Sequence, residues 1–271
     1  MPGRINSALV SAFELVLLSF VAGLGVAVLT APVGVSGAVF LLPIQLTVLQ
    51  VPSPAVTPTN LLFNIVAIPG ALLRYRTHAP LRSALTTVLL IGTLPGVVIG
   101  ALVRVFLIPG PQVFRLVVAG FLLLLGIWLC LQRNRNATTP SHRPLSRGST
   151  VAVALGVGVI GGIYGIGGGS LLSPILVGRG LPIATVAPAT LVSTFITSIA
   201  GAITYVILAI TTTGHHIAPN WTIGLIAGAG GLVGGYLGAR MQPHLPERAL
   251  RWGLGVLAIA TATLYAIQAL Q

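Results

Sequence analysis

Aspartate and lysine are absent from this chain of 271 residues, and its only acids are Glu14 and Glu247. Two acids make no carboxylate cluster for a metal ion, and they disfavour a cation transporter relying on carboxylates. Charged residues make up 6% of the chain against 55% hydrophobic, with a mean hydropathy of +1.02. A soluble domain carries charge on about a quarter of its positions, so lipid must replace water around much of this surface. There is one cysteine, Cys130, which excludes an internal disulfide. No phosphate loop ending in Gly-Lys occurs. Gly165-x-Gly167-x-x-Ser170 is not a dinucleotide motif, because nothing around it reads as an open parallel sheet. Neither a metal, nor a cofactor, nor an enzymatic activity is expected.

What is present is arginine, fourteen of them. They stand singly between apolar runs rather than on one soluble face with aromatic platforms, which argues against nucleic acid as a partner. Arginines flanking apolar spans report topology instead. The N-terminal run is too long and too interrupted, by Glu14, for a signal peptide, and reads as a first membrane segment.

The runs fall at about 8–31, 38–51, 56–73, 84–108 and 113–132, and again at 150–166, 169–178, 183–212, 219–240 and 248–270. Between the two sets lies the polar, basic stretch 133–149. Helices are expected throughout, since a backbone in lipid must satisfy its own hydrogen bonds. The second set repeats the first. An offset of 131 places Gly25 on Gly156, Gly34 on Gly165, Gly37 on Gly168 and Pro43 on Pro174. With 130, Val56-x-Pro58 falls on Val186-x-Pro188, and Gly96-x-x-x-Gly100 later matches Gly234-x-x-x-Gly238. This predicts an all-α polytopic membrane protein with a first repeat over 1–132, a cytoplasmic linker over 133–149 and a second repeat over 150–271.

Five segments per repeat is an odd number, so the second repeat should enter from the opposite face, the inverted plan of many transporters. With the linker inside, Arg74, Arg76, Arg82, Arg133, Arg135, Arg143, Arg147, Arg179, Arg240, Arg248 and Arg251 fall on the cytoplasmic side. Only Arg4, Arg104 and Arg115 fall outside. If the short runs 38–51 and 169–178 are re-entrant, the parity is unchanged.

Two strings carry the chemistry. Gly165-Ile166-Gly167-Gly168-Gly169-Ser170 cannot sustain a helix, each glycine costing about 1 kcal/mol relative to alanine. A broken backbone at membrane depth survives only within protein or beside a watery cavity. Restarting a helix there aims N–H groups and the positive end of its dipole at one point, which suits an anion. Gly34-Val35-Ser36-Gly37 is the counterpart in the first repeat. Close packing of helices is the competing use of glycine, and it is the favoured one for Gly96, Gly100, Gly234 and Gly238. Asn60 and Asn64, four apart on one helix face, need polar partners, whether solute or neighbouring helix. Thr57 and Thr59 stand beside them, and their repeat partners are Thr190, Ser193 and Thr194. The expected solute-binding set is thus Gly34, Ser36, Gly37, Asn60, Asn64, Gly165, Gly167, Gly168, Gly169, Ser170, Thr190 and Thr194. Glu14 is the candidate for coupling, while His215 and His216 fall in an external gap and read as solvated.

The strings GGIYGIGGGSLLSPIL and LPIATVAPATLVSTFITSIAGAITY, with APVGVSGAVFLLP and VTPTNLLFNIVAIPGALLRYR as the other copy, resemble the TauE/SafE sulfite exporter family over nearly the whole chain. The first copy departs from the second in having Ser36 and Ala38 where the second has Gly167 and Gly169. The resemblance implies a plasma-membrane permease that exports sulfite or a related organosulfur anion. Its expected partners are that small anion and the lipid bilayer, with a homo-oligomer possible. An uptake permease or a channel for another solute on the same scaffold is the alternative, and a non-transporting anchor subunit a more distant one.

Overall fold

The computed structural model describes residues 2–78, 80–107, 147–179, 181–212 and 217–246, with scattered helical positions between 116 and 131 and between 252 and 267. Among the described residues every regular element is helical. They are α1 (Pro2–Thr30), α2 (Ala38–Thr47), α3 (Ser53–Tyr75), α4 (Ala84–Phe106), α5 (Arg147–Tyr164), α6 (Leu172–Gly178), α7 (Ile183–Thr211) and α8 (Trp221–Met241). Short 3₁₀ turns follow α1, at Ala31–Val33, and α8, at Gln242–His244.

Six of these helices are long and apolar enough to cross a membrane, whereas α2 is a shorter apolar helix. At 1.5 Å per residue α2 extends about 15 Å, half a hydrocarbon core, and the seven residues of α6 less. Both runs were expected to be longer, to 51 and from 169. They are trimmed because Leu49 N–H and Val51 N–H turn back to Ile44 and Gln45, and because the glycines hold 165–169 out of a helix. Helix α5 begins at Arg147, within the stretch read as linker, since backbone hydrogen bonding can carry a helix beyond its apolar part. Residues 133–146, the gap with His215 and His216, and most of the runs 113–132 and 248–270 lie outside the described residues.

Start signals are local. Ser83 Oγ accepts the Thr86 N–H at 3.1 Å and Asn220 Oδ1 the Ile223 N–H at 3.1 Å, the ordinary way of satisfying an orphan donor at a helix start. Many large apolar side chains face outward: Phe13, Leu17, Ile91, Phe106, Ile207 and Ile210 are all exposed. The interior holds Thr57, Asn60, Asn64, Thr93, Ser170, Thr190, Ser193, Thr194, Thr197 and Ser198, each at 0% exposure. These polar groups sit within an apolar core that includes Leu41, Leu42, Phe63 and Leu172, while the exposed apolar side chains follow from having lipid as solvent.

Glycine sets which helices touch. Gly92, Gly96 and Gly100 of α4 lie against Val151–Leu155, Leu155–Val159 and Val159–Ile163 of α5, so the two run side by side in the same direction. Gly230, Gly234 and Gly238 of α8 lie likewise against Phe20, Leu24 and Val28 of α1. These are the glycine pairs read as packing positions, and they pack. Helix α8 also lies on α3, and α7 sits against both α3 and α4. The first helix of each half is thus seated on the fourth helix of the other.

The offsets of 131 and 130 recur in the bonding. Val35 N–H bonds to Thr30 C=O at 3.2 Å and Ile166 N–H to Gly161 C=O at 3.1 Å. Tyr75 Oη donates to Ala31 C=O at 3.0 Å, and Tyr205 Oη to Gly162 C=O at 3.0 Å.

Candidate functional site

Gly34 and Gly165 take the left-handed backbone, with φ of 72° and 70°, a region that a Cβ makes unfavourable. Each reverses the chain at the end of a long helix, and the chain then returns to start a short one. The second break adds another left-handed residue, Gly167, with φ 73°. Its counterpart Ser36 is not left-handed, and contributes a hydroxyl instead.

The two breaks meet. The Ser36 hydroxyl donates to Asn64 Oδ1 in a short bond, and its oxygen accepts the Ala38 N–H at 3.1 Å. Asn64 Nδ2 reaches Ser198 Oγ at 3.1 Å and Gly165 C=O at 3.3 Å, joining both breaks through one amide. Asn60 Nδ2 donates to Ala38 C=O at 2.9 Å and Tyr164 C=O at 3.4 Å. On the other flank, Thr190 Oγ1 lies 3.0 Å from Gly34 C=O, and Gly34 lies against Ala187 and Thr190. Ser170 Oγ is 3.3 Å from Thr194 Oγ1, and Gly168 N–H donates to Thr197 Oγ1 at 2.9 Å. Gly167 and Gly169 lie against Thr194.

The twelve residues singled out in the sequence therefore come to one buried neighbourhood, Gly37 through its contact with Phe63. Glu14 does not: it is exposed on α1, near the start of the membrane-spanning stretch. The N–H groups at the breaks are less open than the glycines suggest, because hydroxyls of Ser36 and Thr197 already hold two of them. Those hydroxyls are exchangeable partners, and a solute oxygen could take their place.

Other polar side chains join them. Thr57 donates to Ile163 C=O at 3.1 Å and Ser193 pairs with Thr93 of α4 at 3.0 Å, while Thr93 itself and Ser173, which bonds to Val33 C=O, were not foreseen. Ser198 and Thr197 continue the threonine face one turn beyond Thr194, and that helical spacing was the available signal. Arg104 is 2% exposed, with Nη2 on Ser53 C=O at 2.7 Å and Oγ at 2.8 Å. A cavity of about 20 Å³, room for roughly one water, reaches Ser36 and Gly37 between Thr30, Phe63, Ala71 and Gly235. It lies toward the end of α3 and α8 that carries Arg74, Arg76 and Arg240.

The arrangement is a set of neutral hydroxyls, amides and backbone dipoles where two chain reversals converge in an apolar shell. Among the described residues no group of three or more His, Cys, Asp or Glu could hold a metal. Compared with known proteins, the chain matches a family model described as sulfite exporter TauE/SafE over residues 19–265. No match was found among curated proteins or among solved structures.

Proposed function

Since the chain belongs to the sulfite exporter TauE/SafE family, a family of membrane transporters, we propose that it is a secondary-type permease of the plasma membrane exporting sulfite or a related organosulfur anion. The substrate would sit where the Gly34–Gly37 and Gly165–Ser170 breaks converge. Asn60, Asn64, Thr190 and Thr194 line its path.

The observation that carries this reading is the Asn64 amide, which binds Ser36 of one break and Gly165 of the other. A solute that displaced these bonds would loosen both halves at once, and that is the kind of coupling alternating access needs. Arginines at the ends of α3, α6 and α8 favour a cytoplasmic position for those ends. The cavity beside Ser36 would then be the inner approach. In this orientation the two repeats, 1–132 and 150–271, enter the membrane from opposite faces. An inside-negative potential favours anion exit by about 2.3 kcal/mol per charge per 100 mV. With Glu14 exposed, the reading assigns no carboxylate to coupling.

The test is sulfite efflux from loaded proteoliposomes at clamped potential, with Ser36→Ala beside the intact protein. Losing a hydroxyl that both donates to Asn64 and caps α2 should slow efflux about tenfold or more, at unchanged helical content. Equal flux from the two would remove Ser36 from the path. No sulfite flux from folded intact protein would remove the named substrate.

A further inference from the structure

The fully buried Asn60 narrows the kind of anion, given the permease reading above. Its amide nitrogen faces two carbonyl oxygens, Ala38 and Tyr164. Only an N–H can face a carbonyl, so the amide has one possible orientation and its other end is oxygen. That oxygen, Oδ1, is buried and has no hydrogen-bond partner within the protein. Amide oxygen and nitrogen share one carbon, so Oδ1 lies within an amide's width of the first residue of α2 and the last of α5. An empty buried acceptor is unfavourable, and hydrocarbon supplies no donor to fill it. The group that complements it is an O–H or N–H, which a fully deprotonated oxyanion does not possess.

Charge points the same way. The cluster of Ser36, Asn60, Asn64, Ser170, Thr194 and Ser198 offers dipoles and hydroxyls but no formal charge. The free energy of removing an ion from water scales with the square of its charge, so a dianion would need about fourfold the compensation of a monoanion.

We infer that the site takes a singly charged oxyanion carrying its own donor, hydrogen sulfite among the sulfur oxyanions, in preference to a dianion. The anion's O–H donates to Asn60 Oδ1, while a charged oxygen accepts the hydroxyl of Ser36, which shares Ala38 with Asn60 as a partner. The proton stays on the anion throughout.

The experiment uses the full chain in proteoliposomes at a clamped potential, with initial sulfite efflux followed on both sides of the second ionisation of sulfite. Sulfate and methanesulfonate are the comparison anions, the latter a monoanion of similar shape with no donor. Above the ionisation, efflux at fixed total sulfite should fall about tenfold per pH unit, while the melting temperature of the purified protein stays constant over the same range. Methanesulfonate and sulfate should compete weakly where hydrogen sulfite saturates. Efflux that follows the dianion would overturn the inference and leave the permease reading intact. Equal competition by methanesulfonate would do the same, and would mean that water satisfies Asn60. No flux of any of the three anions would overturn both.

Discussion

Arg104 lies buried on α4, its Nη2 bonded to the carbonyl and hydroxyl of Ser53, so one guanidinium holds the first residue of α3 against the last turns of α4. Replacing it with methionine keeps an unbranched apolar stem and loses both bonds. Arg104→Met should destabilise the protein by about 1–3 kcal/mol through the charge-assisted bonds lost to half-buried Ser53, read as a lowered midpoint of thermal unfolding in detergent. An unchanged midpoint would mean that α3 is held by packing alone. In the sequence this arginine reads as a marker of the outer flank. A lone arginine near a helix end looks the same whether it snorkels to the headgroups or turns inward. Glu14 reads as a carboxylate near the start of its membrane segment, and it stands exposed on α1 at the start of the membrane-spanning stretch. Asn60 and Asn64 were legible as a shared polar face from their spacing. Their partners were not, since Ser36, Gly165 and Ser198 are brought to Asn64 by tertiary packing.

At the scale of elements, Gly34 and Gly165, 131 residues apart in the sequence, have nearly the same φ, 72° and 70°. What each matched glycine does was less legible. Gly25 and Gly156 are also repeat-related, but a side chain at either would meet open space. Gly100 is closed in by backbone, with Gly162 Cα 2.9 Å and Ile163 N 3.0 Å from where a Cβ would stand. The same substitution should therefore act with opposite sign. Gly25→Ala and Gly156→Ala should each stabilise by about 0.5–1 kcal/mol, because alanine is the better helix former. Gly100→Ala should destabilise by about 1–3 kcal/mol by forcing α4 and α5 apart. Thermal or denaturant unfolding of the three variants decides it, and a loss of stability in all three would show that the open positions are covered in the bilayer.

For the whole molecule, composition alone indicated lipid as solvent, and the outward Phe13, Ile207 and Ile210 agree. The direction of insertion rests on the arginines. Helices α3 and α8 lie parallel, Leu62, Val66 and Gly70 of one meeting Gly224, Gly228 and Leu232 of the other. Thr77 and Pro219 must then lie at opposite ends of the bundle. With Cys130 replaced by serine, Thr77→Cys should react with an impermeant thiol reagent only from the cytoplasm, and Pro219→Cys only from outside. The reverse pattern would turn the whole assignment over and make the cavity beside Ser36 the outer approach. The pairing of halves could not be read from the string of residues, because identical glycine spacings would serve a helix packed within its own half equally well.

That pairing bears on ancestry. Helix α1 is shaped to α8, and α4 to α5, so if the two halves arose by duplication, a polypeptide of one half would have carried two surfaces cut for neighbours it did not contain. Such a chain would have been sound only as two copies, each lending the other its missing wall. Association would then have come first, and the fusion of two genes would have tied together an assembly that already existed.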